Sequence, residues 1–87
     1  MIIKSSKSFK KDFRKLTRKQ KNQFYKRVIL FVEGENHSIL GIHALKGESK
    51  GKRSFNVTGD IRVIYEEIDQ DTVLFLMIGT HSNLYGK

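Results

Sequence analysis

Near its end the chain carries an unbroken apolar run, Val73-Leu74-Phe75-Leu76-Met77-Ile78, and this segment limits the possible folds more than any other. It is far too short to cross a bilayer. Bounded by Asp69-Gln70-Asp71 on one side and Gly79 on the other, it reads as a buried strand from Thr72 or Val73 to Thr80. A buried strand needs partners on its edges and cover on its face, so the rest of the chain must supply both. Directly after the run comes Gly79-Thr80-His81-Ser82-Asn83-Leu84-Tyr85, which delivers an imidazole, and four residues later a phenol, to the strand's polar rim.

The partners are legible upstream. From Lys52 onward, Phe55 and Val57 alternate with Ser54, Asn56 and Thr58, the period of a half-buried strand. Gly59-Asp60 signals a two-residue hairpin turn, and Ile61 to Glu67 makes the next strand. Before Gly34 the period changes to that of helices. Phe9, Phe13 and Leu16 share one face of a helix from about Lys7 to Leu16. Thr17-Arg18-Lys19-Gln20 has the form of a capping box, opening a second helix to about Glu33 that buries Phe24, Val28 and Phe31 and stops at Gly34. Met1 to Lys4 forms a short first strand, and Glu35 to Gly41 is loop. The expected order is βααβββ, an α+β domain over residues 1–87 in which an antiparallel sheet packs against an antiparallel two-helix hairpin.

Charge narrows the partners. Seventeen Lys and Arg against nine Asp and Glu give a net charge of +8 over 87 residues, which favours a phosphate-rich or acidic partner. Lys46, Lys50, Lys52 and Arg53 form a basic strip that the hairpin register should gather with Arg62 and His81 on the sheet's other face or rim. There is no cysteine, hence no disulfide framework and no thiolate nucleophile. The first residues lack a signal peptide's apolar core, so the expected setting is soluble and cytoplasmic, away from membranes. Three histidines are far apart in sequence and show no metal-ligand spacing, so neither a metal nor another cofactor is expected. His37, within the polar Glu35-Asn36-His37-Ser38 stretch, reads as a solvated loop residue.

Taken in order, His43-Ala44-Leu45-Lys46-Gly47, Lys50-Gly51-Lys52-Arg53-Ser54, Val57-Thr58-Gly59-Asp60, Arg62-Val63-Ile64-Tyr65 and Gly79-Thr80-His81-Ser82-Asn83-Leu84-Tyr85 resemble the RelE/ParE superfamily of toxins from bacterial toxin-antitoxin modules. The likeness is greatest to the YafQ-type mRNA interferases of its RelE/StbE branch. It extends over nearly the whole chain, and its specific part lies between His43 and Tyr85. The resemblance implies a RelE-like fold and cleavage of messenger RNA, usually in the ribosomal A site, without a metal. It also implies a cognate antitoxin that holds the toxin inactive in a hetero-oligomer. Matching positions are His81 for the catalytic histidine, Tyr85 for an aromatic residue, His43 for a second histidine and Asp60 for an acidic residue at the hairpin. Ser54 and Asn56 stand where the YafQ-type pattern has an Asp and a His. Lys52 replaces an aromatic residue, and Arg62 fits the arginine of RelE-like members.

The chemistry has its own requirements. Metal-free RNA cleavage needs a base for the ribose 2′-OH, a cation for the negative charge on the phosphorane, and an acid for the departing 5′ oxygen. His81 is the expected general acid, since a nearby phosphate favours the imidazolium. His43 or Asp60 is the general base, although Gly-Asp is also ordinary turn chemistry. Arg62, with Lys46 or Arg53, stabilises charge, and Tyr85 stacks on or orients a base. Lys46, Lys50, Lys52, Arg53 and Asn56 are the expected RNA-binding positions. Two functional classes stay open: this endoribonuclease, and a ParE-like or catalytically silent binding module acting on a protein such as DNA gyrase.

Overall fold

In the computed structural model, which describes residues 1–34, 38–47 and 51–84, strand β1 (Ile2–Ser5) gives way at Ser6 to helix α1 (Lys7–Arg14). Ser6 fixes that reversal twice. Its Oγ accepts the Phe9 amide at 3.0 Å, capping the helix, and its hydroxyl donates to the Leu76 carbonyl at 2.8 Å, tying the helix start to the sheet. The helix ends at Arg14, short of the Leu16 expected from periodicity. The amides of Lys15 and Leu16 reach back only three residues, to the carbonyls of Asp12 and Phe13 at 3.1 Å, and this tightened turn lets Thr17 begin α2 (Arg18–Glu33). The capping box is present as expected: Thr17 Oγ1 accepts the Gln20 amide at 3.1 Å, and Gln20 Oε1 accepts the Thr17 amide at 2.9 Å. Gly34 closes the helix by donating to the Leu30 carbonyl at 3.1 Å.

Beyond a 3₁₀ turn at Ser38–Leu40 the chain builds the sheet: β2 (His43–Ala44), β3 (Arg53–Asn56), β4 (Ile61–Glu67) and β5 (Thr72–Thr80), followed by the short helix α3 (His81–Leu84). The order across the sheet is β1-β5-β4-β3-β2. The α+β class and the β3-β4-β5 meander agree with the sequence reading, and two features add to it. β1 lies parallel to β5, with Ile2 opposite Thr72 and Ser5 opposite Phe75, so the sheet is mixed rather than wholly antiparallel. β2, a strand of two residues within a segment that shows no alternation, pairs His43 with Ser54 and Ala44 with Arg53. The β3–β4 connection is also longer than the two-residue turn expected from Gly59-Asp60. Thr58 directs it: its Oγ1 accepts the amides of Asp60 and Ile61 at 3.1 and 2.9 Å, so a hydroxyl rather than a glycine shapes the turn.

The helical hairpin covers one face of the sheet. Phe55, Val63 and Ile78 lie opposite one another across β3, β4 and β5 and belong to a core that includes Phe9, Phe24 and Phe31. Phe75 is its hub, with ring centroids 5.6 Å from Phe9, 5.9 Å from Phe31 and 5.7 Å from Phe55. A phenylalanine buried this completely contributes roughly 1.5–3 kcal/mol, which is why the apolar run dominates the fold. Because side chains alternate along a strand, the residues between these core positions face away from the helices. That outer face is where the chemistry-bearing side chains collect.

Candidate active site

Two rows of cross-strand neighbours define the outer face. His43, Ser54, Ile64 and Met77 form one; Asn56, Arg62 and Gly79 form the next, towards the β3–β4 hairpin. Past the second row the chain leaves β5, and His81 stands exposed at the start of α3. Thr80 holds this turn by accepting the Asn83 amide on Oγ1 at 3.1 Å. Since Ile61 pairs with Thr80, the residues on either side, Asp60 and His81, occupy the same corner of the sheet. Asn56, Arg62, Asp60 and His81 are therefore brought to the hairpin end of the sheet, and His43 lies on the outer face one row further in, on the edge strand β2.

Arg62 is half-buried, and its Nε is buried with no hydrogen-bond partner among the described residues. Its cross-strand neighbour Gly79 has no side chain, and Asn83 and Leu84 fold back over that glycine. A buried, unsatisfied N–H of a cation is costly in the free protein, and an anion that reaches this group relieves the cost.

Two positions that sequence reasoning did not single out, Gly41 and Arg27, shape the site together with Ser54, which it read as a departure from the family pattern. Gly41 has φ +56°, and a Cβ there would lie 2.5 Å from Asn56 Nδ2, so the glycine is what allows Asn56 to pack against the chain leading into β2. Arg27, from α2, donates through Nη1 to the carbonyls of Asn56 at 3.0 Å and Ile39 at 3.1 Å, clipping that segment to the end of β3. Ser54, expected on the polar side of an alternating strand, is 0% exposed, and its Oγ lies 3.4 Å from His43 Nε2. The ring's other nitrogen, Nδ1, lies 3.2 Å from the Gly41 carbonyl oxygen. In the sequence this network leaves only local traces, a glycine two residues before a histidine and a serine in the facing strand.

The basic strip does not stay together. The Leu45 amide donates to the Lys52 carbonyl at 2.9 Å, extending the β2–β3 pairing, so Lys52 follows Ser54 onto the outer face. Arg53, cross-strand from Tyr65, falls on the helix-bearing face with Phe55, which separates it from the group it was expected to join. Lys46 is exposed just beyond β2. Lys50 and Tyr85, and likewise His37, lie outside the described residues. Among the described residues no three His, Asp or Glu side chains gather as a metal would require, and no helix is long and apolar enough to cross a membrane.

A sequence profile described as "Bacterial toxin of type II toxin-antitoxin system, YafQ" matches residues 1–86. No curated protein matches the sequence. Among solved structures, the fold is similar to YafQ from E. coli strain BL21(DE3), at 25% identity and TM-score 0.82 with 97% of each chain covered. It is similar too to the toxin of the E. coli DinJ-YafQ toxin-antitoxin complex, at 26% identity and TM-score 0.78 over 97% of this chain and 96% of that one. A YoeB/ParE toxin from Agrobacterium tumefaciens shares the fold at 14% identity and TM-score 0.77, over 93% of this chain and 99% of that one.

Proposed function

The chain belongs to the YafQ family of bacterial toxins from type II toxin-antitoxin systems, and on that premise we propose that it is an endoribonuclease that cleaves messenger RNA in the ribosomal A site by acid-base chemistry of its own side chains. The observation that carries this reading is that Asp60, Arg62 and His81 lie at the hairpin end of the sheet, with His43 and Lys52 on the outer face beside them. Proton-transfer groups, an incompletely satisfied cation and an exposed approach are what in-line attack by a ribose 2′-OH requires. In the proposed reaction a base removes the 2′ proton, and the 2′ oxygen bonds to the adjacent phosphorus. The P–O5′ bond breaks, and His81 protonates the departing oxygen. Arg62 meets the added charge on the phosphorane, where its Nε gains the partner it lacks. Asn56 and the outer lysines hold the strand being cut.

Regulation follows from the same family. A cognate antitoxin partner is supported by the DinJ-YafQ complex, and we extend it here to a hetero-oligomer in the cytoplasm in which the antitoxin covers the outer face. Primer extension on a reporter message after induction, repeated with purified ribosomes, tests the activity. Discrete breaks within codons, lost in His81→Ala, are the expected result. Growth arrest with intact messages, accompanied by inhibition of DNA gyrase, would instead identify a binding toxin of the ParE kind.

A further inference from the structure

His43 and Ser54 are cross-strand partners that also meet through their side chains. A carbonyl oxygen only accepts, so the 3.2 Å contact with the Gly41 oxygen requires the hydrogen on Nδ1 and leaves the neutral ring's lone pair on Nε2. Ser54 is wholly buried, and with its Oγ 3.4 Å from Nε2 its hydroxyl is placed to donate to that lone pair. When Nε2 takes up a proton, the same hydroxyl rotates and accepts. A carboxylate at this position would favour only the cation, and a methyl group would serve neither state.

We propose that Ser54 is a positioning residue that holds His43 as the Nδ1–H tautomer, so that the Nε2 lone pair is the one offered to the 2′-OH proton. The inference rests on the ribonuclease reading. At 3.4 Å the Ser54 contact is long for a hydroxyl donor, so an incoming ribose hydroxyl displaces its hydrogen from the lone pair of the exposed ring. The proton moves from O2′ to Nε2, and the electron pair left on O2′ forms the new bond to phosphorus. The P–O5′ bond breaks, and its oxygen takes a proton from His81. Asp60, by contrast, is held by its backbone amide at an exposed turn, and among the described residues no hydrogen bond orients its carboxylate. Among the described residues, the charged groups that share His43's face are Lys52, Glu66 and, at the far edge, Lys4 in the adjoining row and Arg62 in the row towards the hairpin, with His81 beyond the end of β5.

Nitrogen-15 NMR of the intact protein reads the tautomer directly. A neutral His43 mainly in the Nδ1–H form is expected, and a dominant Nε2–H form overturns the proposal even if every Ser54 variant misfolds. In folded variants, Ser54→Ala should lower single-turnover cleavage about tenfold at unchanged substrate affinity, the scale of one lost orienting hydrogen bond, and Ser54→Thr should restore it. Ser54→Asp should raise the His43 titration midpoint and carry the acid limb of the pH–rate profile upward with it. If the midpoint moves and the acid limb does not, the base is elsewhere and the assignment of His43 fails. Wild-type protein that cuts no RNA at all overturns the ribonuclease reading and the base role with it, while the tautomer measurement alone decides whether Ser54 positions the ring.

Discussion

His81 owes its position to Thr80, whose hydroxyl shapes the turn out of β5, and the ring itself is exposed. Removing it should therefore leave the fold intact. His81→Ala is expected to keep its melting temperature while losing roughly 10²- to 10⁴-fold in cleavage rate, the usual cost of deleting a positioned acid; cleavage unchanged in a folded mutant would remove His81 from the mechanism. Arg62 and Lys52 should separate by kinetics. A guanidinium with a buried Nε can strengthen its grip as charge builds, so Arg62→Lys should depress turnover more than affinity. Lys52→Ala should weaken binding and reduce the salt slope by about one, with the chemical step little changed. Single-turnover rates at saturation, set beside binding across a salt series, tell these apart, and the opposite pattern would reverse the two roles. At this scale the sequence revealed the residues with chemical character but not those that act through shape. His81, Arg62 and Asp60 could be read from type and spacing. Arg27 was one cation among seventeen, and its contacts to the carbonyls of Ile39 and Asn56 depend on where a helix meets a strand end, which no local pattern encodes.

Alternation along a strand decides which basic residues can act together, and it sends Lys52 and Arg53 to opposite faces. A one-dimensional run of charge conceals that division. Periodicity made both helices, the capping box and the β3-β4-β5 meander legible, because each is a local pattern with its own physical cause. The parallel pairing of β1 with β5 was not, since it joins opposite ends of the chain. The β3–β4 turn was misjudged because Thr58 competes through its side chain for amides that a glycine turn would have left to backbone geometry. The β4–β5 turn gives a pH prediction. Asp69 accepts the Asp71 amide at 2.8 Å, and this bond chiefly holds its carboxyl below the usual range despite an opposing desolvation effect. A lowered folded value means that the contribution is present above the unfolded value and lost as pH falls through the folded one. Between about pH 6 and pH 3, Asp69→Asn should lose less melting temperature than the wild type, by a small margin for so exposed a turn; equal losses would show that the bond does not matter to stability.

For the whole molecule, a net charge of +8 makes approach to any acidic partner sensitive to salt. Association with the cognate antitoxin is expected to slow as salt rises, with dissociation much less affected, and stopped-flow binding at several ionic strengths checks it. Hydrogen exchange on the complex should show the bound segment covering the outer face or shifting residues 79–84; a complex in which His81 and Lys52 remain open and those residues unmoved would require another mode of inhibition. The parallel β1–β5 pair also bears on how the molecule is born. The bond from Ser6 to Leu76 spans 70 residues, and β5 supplies Phe75 to the centre of the core. The first strand to be synthesised must wait, unpaired, for the last, and closing so long a loop is a late and entropically costly event. A growing chain without β5 has neither its aromatic hub nor a partner for β1, so no folded toxin exists while that strand is still being made. Fragments ending at Asp71 should be unfolded by circular dichroism, and in pulse-labelled refolding the β1 amides should gain protection only together with those of β5. If it acts on ribosomes as proposed, such a toxin would spare the one that is translating it until its own message has been read through the last strand.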